Sequence, residues 1–244
     1  MSAPPAPSEI VFLPGFDGVA ELREPFVRAL DARHPARALG YPNRPFETLD
    51  GYVRFAASQL APASRAVLVA ESFSGLVAAR WAAKDPRIAG LVLCGAFARS
   101  PVPWAAIGAW MPAMAQFIGA NFLSPMAFGL RDAARSRWSA SLAMALRSMR
   151  RDVIAERLHI IATADVSRDL AGLRIPIAIA HFDDDLVIGA GARGQLESAC
   201  RNPGIVRVPG PHFAIETRPR ESAAALLPTL AAFFATPATR TGTR

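Results

Sequence analysis

Three short segments of the chain carry residues that could perform nucleophilic chemistry. The first, residues 68–75 (LVAESFSG), runs from apolar side chains straight into a serine flanked by small residues. A nucleophile on a tight strand-to-helix turn adopts a strained backbone, which requires small residues two positions before and after it. Ala70 and Ser74 meet that requirement for Ser72, whereas bulky Leu76 stands two positions after Ser74. Ser72 is therefore the candidate nucleophile.

The second segment, residues 181–188 (HFDDDLVI), places three consecutive aspartates directly after an apolar run. A carboxylate at the carboxyl end of a late strand can orient a catalytic histidine. A solvated turn and a metal site with His181 are competing interpretations, but consecutive residues on a turn cannot all face one ion. We expect no metal, and the residues alone leave Asp183, Asp184 and Asp185 open as the acid.

The third segment, residues 209–213 (PGPHF), holds His212 in a loop of glycine and proline after the last apolar run. A histidine in such a loop can lie over the sheet edge and act as a general base for the serine. His34 precedes a proline in a connecting segment, and His159 lies in a helical stretch, so both are more typical of structural histidines. The order serine, acid, histidine, each after a predicted strand, favours a catalytic triad.

The strands and helices that position these residues can be predicted from the sequence pattern. Short apolar runs alternate with longer helical stretches, which is typical of a mostly parallel sheet covered by helices. The predicted strands are 10–13, 36–40, 66–70, 90–94, 175–180 and 204–208. The predicted helices are 21–32, 48–60, 75–84, 133–149, 152–162 and 220–234. The sequence therefore predicts an α/β fold with about six strands.

Residues 100–130 interrupt the alternation, because they contain no charged side chain and are rich in Ala, Met, Phe and Trp. Four prolines in this stretch disfavour a membrane-spanning helix. We predict instead a helical cap insertion over residues 100–165, between core parts 1–99 and 166–235, and a flexible tail over residues 236–244. An interaction module or an interfacial lipase that docks on a membrane through the uncharged stretch is an alternative.

Composition restricts the classes of partner. The 244 residues carry a net charge of +7, but the arginines are scattered and Lys84 is the only lysine. No zinc-finger spacing or RNP-type strand accompanies them, so we expect no nucleic-acid partner. The first residues are proline-rich and lack a basic segment followed by an apolar one, which predicts a cytoplasmic protein. Attraction to anionic substrates or membrane surfaces stays open.

The combination of residues 13–18 (LPGFDG) and 71–75 (ESFSG) resembles the α/β-hydrolase superfamily, and the similarity extends from residue 10 to about residue 234. The resemblance implies a serine esterase without a cofactor, in which the backbone N–H groups of Phe16 and Phe73 form the oxyanion hole. The acid loop of the family commonly reads D-x-x-V, which matches residues 184–187 and selects Asp184 as the triad acid. The family's first two strands are expected to be missing, and Glu71 has no assigned role.

The substrate class depends on the predicted cap. Its apolar side chains would bury an acyl group well, so an ester of a hydrophobic small molecule is the first expectation. The candidate substrate-binding residues are Trp104, Trp110, Met114 and Phe117. A thioesterase or acyltransferase acting on coenzyme A or acyl-carrier thioesters is an alternative, as are C–C bond hydrolysis and perhydrolysis. A catalytically silent binding protein is a further alternative, because fold does not determine function.

Overall fold

The computed structural model describes residues 6–101, 111 and 133–235. Six strands form one sheet: β1 (Glu9–Leu13), β2 (Ala36–Ala38), β3 (Ala66–Glu71), β4 (Ile88–Cys94), β5 (Ile177–Phe182) and β6 (Gly204–Val208). Every neighbouring pair is parallel, in the order β2-β1-β3-β4-β5-β6. The predicted α/β class and strand number are confirmed, and all six carboxyl ends lie at one edge of the sheet.

Helices connect these strands. In the described part of the chain they are α1 (Glu24–Asp31), α2 (Leu49–Ser58), α3 (Ser74–Lys84), α4 (Ala133–Ser148), α5 (Arg151–Thr163), α6 (Ser167–Gly172), α7 (Ala190–Ala199), α8 (Ala214–Thr217) and α9 (Pro219–Ala235). The predicted helix 21–32 divides into a 3₁₀ turn, Glu21–Arg23, followed by α1. Helices α6, α7 and α8 were not predicted, since two are one to two turns long and α7 buries a single residue, Leu196.

The central strands are buried on both faces, which is why they read as continuous apolar runs. All residues of β3, β4 and β5 are buried. Alternate side chains point to opposite faces of a strand. Val67 and Val69 accordingly pack in one core with α1 and α9, while Leu68 and Ala70 pack in the other core with α2, α3 and α5.

The predicted cap falls only partly within the described residues. Its C-terminal half forms α4 and α5, and α5 contributes Val153, Ile154 and Leu158 to the larger core. The predicted tail, residues 236–244, lies outside the described residues. In the part of the chain that the structure describes, no helix combines the length and the hydrophobicity that a membrane crossing requires.

The start of α3 packs so closely on the loop that follows β4 that a glycine is required there. A Cβ atom at Gly75 would lie 2.5 Å from Cβ of Ala96. We predict that Gly75→Ala lowers the free energy of unfolding by about 1–3 kcal/mol, because the helix must move away from the sheet. Urea denaturation monitored by circular dichroism measures this change.

Gly194→Ala in α7 is the matched control, since a Cβ atom there meets nothing within 4 Å. That variant should gain about 0.5–1 kcal/mol from the lower entropy of its unfolded chain. Equal stability of the two variants would contradict the close packing at Gly75.

Candidate active site

Ser72 lies on a sharp turn between β3 and α3. Its backbone is in the left-handed region, with φ of 49°. Its N–H donates to the carbonyl of Cys94 over 2.9 Å, and its carbonyl accepts from the N–H of Gly75 over 2.9 Å. A non-glycine residue in this conformation is strained, and such strain clusters at functional sites. The turn lifts the half-buried Ser72 side chain to the carboxyl edge of the sheet.

His212 reaches this serine from the loop after β6. Its Nε2 lies 3.2 Å from Oγ of Ser72. The ring is buried and makes edge contacts with Phe182 and Phe213. Gly95 leaves space for it, because a Cβ atom there, at φ of 51°, would lie 3.1 Å from Cε1 of the ring. The structure therefore brings together the predicted nucleophile and the predicted base.

The acid that contacts the histidine is Asp185, which corrects the selection of Asp184. Nδ1 of His212 lies 2.9 Å from Oδ2 of Asp185. Asp184 is exposed, and its N–H donates to the carbonyl of Gly210. Asp183 is also exposed and pairs with Arg207 over 2.6 Å. Contacts in the turn after β5 thus engage the side chain of Asp183 and the backbone of Asp184. Asp185 is the aspartate whose carboxylate faces His212.

The acid loop of this chain therefore begins one residue later than the D-x-x-V pattern predicts. Counted from Asp185, the apolar residue three positions later is Ile188, which is buried, whereas Val187 is partly exposed. Isoleucine and valine are both β-branched, so either side chain suits this position. The sequence fits a D-x-x-[V/I] pattern from either aspartate, so the pattern alone does not distinguish Asp184 from Asp185.

The environment of Asp185 keeps its carboxyl ionised. Its Oδ1 accepts from the N–H groups of Val187 and Ile188, over 2.8 and 2.9 Å. Burial raises the pKa of Asp185, but the hydrogen bonds from His212 and these amides outweigh burial, so the pKa is lowered. An ionised carboxylate can only accept, so Nδ1 of His212 carries the proton and Nε2 is free to accept the Ser72 proton.

The loop after β1, residues 14–18, lies beside the serine turn because β1 pairs with β3 and Leu13 is in register with Ala70. This loop, which we call the oxyanion loop after its proposed role, contains Phe16, and Phe73 directly follows the serine. Neither the Phe16 nor the Phe73 N–H donates to an acceptor within the described residues. Two such amides beside a nucleophile can stabilise an oxyanion, as the resemblance implied.

Buried side chains hold the oxyanion loop in place. Ser74 donates a hydrogen bond to the carbonyl of Pro14 and accepts one from the hydroxyl of Tyr41, 2.8 Å away. Arg157 of α5 donates through Nη1 to the carbonyl of Phe16. Tyr41 and Arg157 stand near no recognisable motif, so their contacts with this loop could not be predicted from the sequence.

Two other predictions about the site concern the substrate-binding residues and a metal. The candidate substrate-binding residues Trp104, Trp110, Met114 and Phe117 lie outside the described residues. Across ranges 6–101 and 133–235, no group of three His, Cys, Asp or Glu side chains is arranged to hold a metal ion.

Comparison with known proteins identifies the wider group. The sequence profile of the alpha/beta hydrolase family matches residues 10–225. The chain is similar in structure to the enol-lactonase from Burkholderia xenovorans LB400, with a TM-score of 0.73, 21% identity and coverage of 95% of this chain and 92% of that one. A hydrolase from Pseudomonas aeruginosa PA01 superposes with a TM-score of 0.75 at 19% identity, covering 94% and 91%.

A bromoperoxidase from Bacillus anthracis is similar as well, with a TM-score of 0.73, 17% identity and coverage of 94% of each chain. No curated protein sequence matches the chain. At these identities the structural likeness shows the fold alone, but the family profile extends over most of the sequence. The chain belongs to the alpha/beta hydrolase family.

Proposed function

We propose that the protein is a serine hydrolase that cleaves carboxylic esters of hydrophobic small molecules through an acyl-enzyme. The observation that carries the proposal is the unbroken path from Oγ of Ser72 to Nε2 of His212, and from Nδ1 to the Asp185 carboxylate. Each of these residues follows a different strand, and their geometry matches the roles of nucleophile, base and orienting acid.

The first chemical step follows from the protonation states of the path. Oγ of Ser72 attacks the acyl carbon while its proton moves to Nε2 of His212. Asp185 stays ionised, fixes the ring tautomer and stabilises the imidazolium that forms. Since the Asp185 carboxylate already accepts hydrogen bonds from two backbone amides, it does not need to reorganise during the proton transfer.

The carbonyl oxygen of the substrate becomes an oxyanion in this step. The N–H groups of Phe16 and Phe73 are the proposed donors, and loss of one such donor typically lowers the rate by about 10²–10³. The imidazolium then protonates the leaving alcohol. Water, deprotonated by His212, cleaves the acyl-enzyme and regenerates Ser72.

The hydrophobic substrate class rests on the composition of the insertion. Residues 100–130 carry no charge and supply Trp104, Trp110, Met114 and Phe117 as the proposed lining for an acyl or alkyl group. The localisation proposed from the sequence, the cytoplasm, would make such a substrate a small intracellular ester. Thioesters of coenzyme A are the competing substrates that an assay must include.

Ser72→Ala tests the proposed nucleophile. We expect the wild-type protein to be labelled by a fluorescent fluorophosphonate and to hydrolyse p-nitrophenyl esters. Its kcat/KM should rise from acetate to longer acyl groups, because the enzyme buries more apolar surface of the longer substrates. The variant should lose both labelling and turnover. A folded wild-type protein that neither labels nor cleaves any ester would contradict the proposal and favour a binding protein. Faster turnover of acyl-coenzyme A than of every ester would favour a thioesterase.

Asp185→Asn and Asp184→Asn form a matched pair of variants of adjacent residues. In Asp185→Asn the new amide could accept from the ring or donate to it but would no longer select the tautomer, so kcat should fall by about 10³–10⁴. Asp184→Asn should stay within about threefold of the wild-type protein, since that side chain is exposed. The two kcat values with p-nitrophenyl butyrate decide the assignment, and a larger loss for Asp184→Asn would reverse it.

A further inference from the structure

A buried ionic cluster lies beside the site without belonging to the path of proton transfer. Its centre is Arg23, in the 3₁₀ turn before α1, whose side chain is fully buried. The guanidinium contacts three carboxyl groups: Nη1 lies 2.6 Å from Asp17, Nε lies 3.0 Å from Glu71, and Nη2 lies 2.8 Å from Glu216. We call these four residues the Arg23 cluster.

Each carboxyl group belongs to a segment that carries a site residue. Asp17 directly follows Phe16 in the oxyanion loop, and Glu71 directly precedes Ser72. Glu216 lies in α8, four residues after His212. One planar guanidinium therefore connects the oxyanion loop, the serine turn and the histidine loop.

The contacts fix the oxyanion loop from both of its ends. Oε2 of Glu71, which accepts from Nε of Arg23, also accepts from the N–H of Gly15 over 3.2 Å. Oδ1 of Asp17 accepts from the N–H of Val19 over 2.8 Å as well as from the guanidinium. The guanidinium also donates to the carbonyl of Val19 over 3.2 Å. The backbone on both sides of Phe16 is thus held relative to the residue that precedes the nucleophile.

The charges of the cluster do not balance if every carboxyl group is ionised. One guanidinium would face three buried carboxylates, and uncompensated buried charge is strongly unfavourable. Burial first, and the charge of Glu71 second, raise the pKa of Glu216 well above its ordinary value. Oε1 of Glu71 and both oxygens of Glu216 also lack a well-aligned hydrogen-bond donor within the described residues. A proton held by Glu216 removes one of the two excess negative charges. Donated to Glu71, it also gives an unpaired oxygen of each carboxyl group a hydrogen-bond partner.

We propose that Arg23 is a positioning residue for the reaction at Ser72, holding the Phe16 amide in register with the nucleophile through Asp17 and Glu71 and the histidine loop in place through a protonated Glu216. This proposal rests on the proposed hydrolase function. A buried apolar cluster could stabilise the fold equally well, because buried ion pairs contribute little net stability. Only directed contacts fix where a peptide amide lies.

Arg23→Lys tests the directed contacts while it keeps a buried positive charge. A single ammonium cannot reproduce the planar fork that reaches three carboxyl groups. With p-nitrophenyl butyrate, kcat should fall by about 10–10², as expected for a small misplacement of a catalytic group, while KM changes less than about threefold. The rate constant for fluorophosphonate labelling should fall by the same factor, while the fraction of sites that finally react stays at the wild-type level.

Arg28→Met is the matched control, because Arg28 lies on the adjacent α1 and its side chain is 71% exposed. Its kcat should equal that of the wild-type protein. A folded Arg23→Lys protein with unchanged kcat would overturn the proposal. It would also be overturned if a smaller fraction of the variant reacted with fluorophosphonate while the labelling rate constant of the reactive molecules stayed unchanged. A wild-type protein that does not react with fluorophosphonate would instead refute the proposed function, so the two failures are distinguishable.

Glu216→Ala and Glu216→Gln provide a second test that does not depend on whether Arg23→Lys folds. The alanine variant removes the contact between the cluster and α8, so kcat should fall by about tenfold or more. Glutamine is neutral, can donate to Glu71 and can accept from Arg23, and it should therefore restore most of the lost kcat. An unchanged kcat in Glu216→Ala, or no recovery in Glu216→Gln, would overturn the proposal.

The shared proton has its own signature in the pH dependence of stability. Because the pKa of Glu216 is raised in the folded state, the native protein binds this proton more tightly than the unfolded chain, and raising the pH above about 4.3 favours unfolding. Glutamine does not titrate. The Tm of Glu216→Gln relative to the wild-type protein should therefore increase as the pH is raised from about 5 to about 8.

Glu221→Gln in α9 is the control for this measurement, since that side chain is 64% exposed. Its Tm difference from the wild-type protein should not widen over the same pH range. A Tm difference for Glu216→Gln that is constant with pH would contradict a protonated Glu216 in the folded protein.

Discussion

The left-handed backbone at Ser72 is the constraint on which the rest of the site depends. An L-residue there costs about 1–2 kcal/mol, and the conformation persists only where the surroundings determine it. The surroundings here are β3, held between β1 and β4, the hydrogen bond from Ser72 to Cys94, and the contact of Gly75 with Ala96. A parallel sheet then brings every loop that the chemistry needs to the same edge.

This dependence explains what could be predicted from the sequence. The central strands have two buried faces, so they stand out as apolar runs, and a small-residue turn after one of them identified Ser72. His212 was identifiable because glycine and proline flank it after the last strand. In both cases the local requirements of backbone and burial suffice, and the structure places the two side chains 3.2 Å apart.

The choice among three adjacent aspartates needed information that a local pattern does not contain. Asp184 and Asp185 make different contacts in the turn after β5. The N–H of Asp184 donates to the carbonyl of Gly210, whereas the carboxylate of Asp185 contacts His212. The Arg23 cluster could not be predicted either, because Glu71 and Glu216 lie far from Arg23 in the chain, Glu71 by 48 residues. Tertiary contacts between distant charged residues leave no periodic signal.

Helix α5, which lies between β4 and β5 in the chain, contributes a side chain to the site. Arg157 of α5 is buried and has no carboxylate partner among the described residues. Its guanidinium lies over the rings of Tyr41, Tyr52 and Phe73, at 5.4 to 5.8 Å, and cation–π contacts of this kind contribute about 0.5–2 kcal/mol each. Because the same guanidinium donates to the carbonyl of Phe16, the position of α5 and the position of the oxyanion loop are linked through one side chain. A change in the insertion that displaces α5 would therefore reach the proposed oxyanion hole directly.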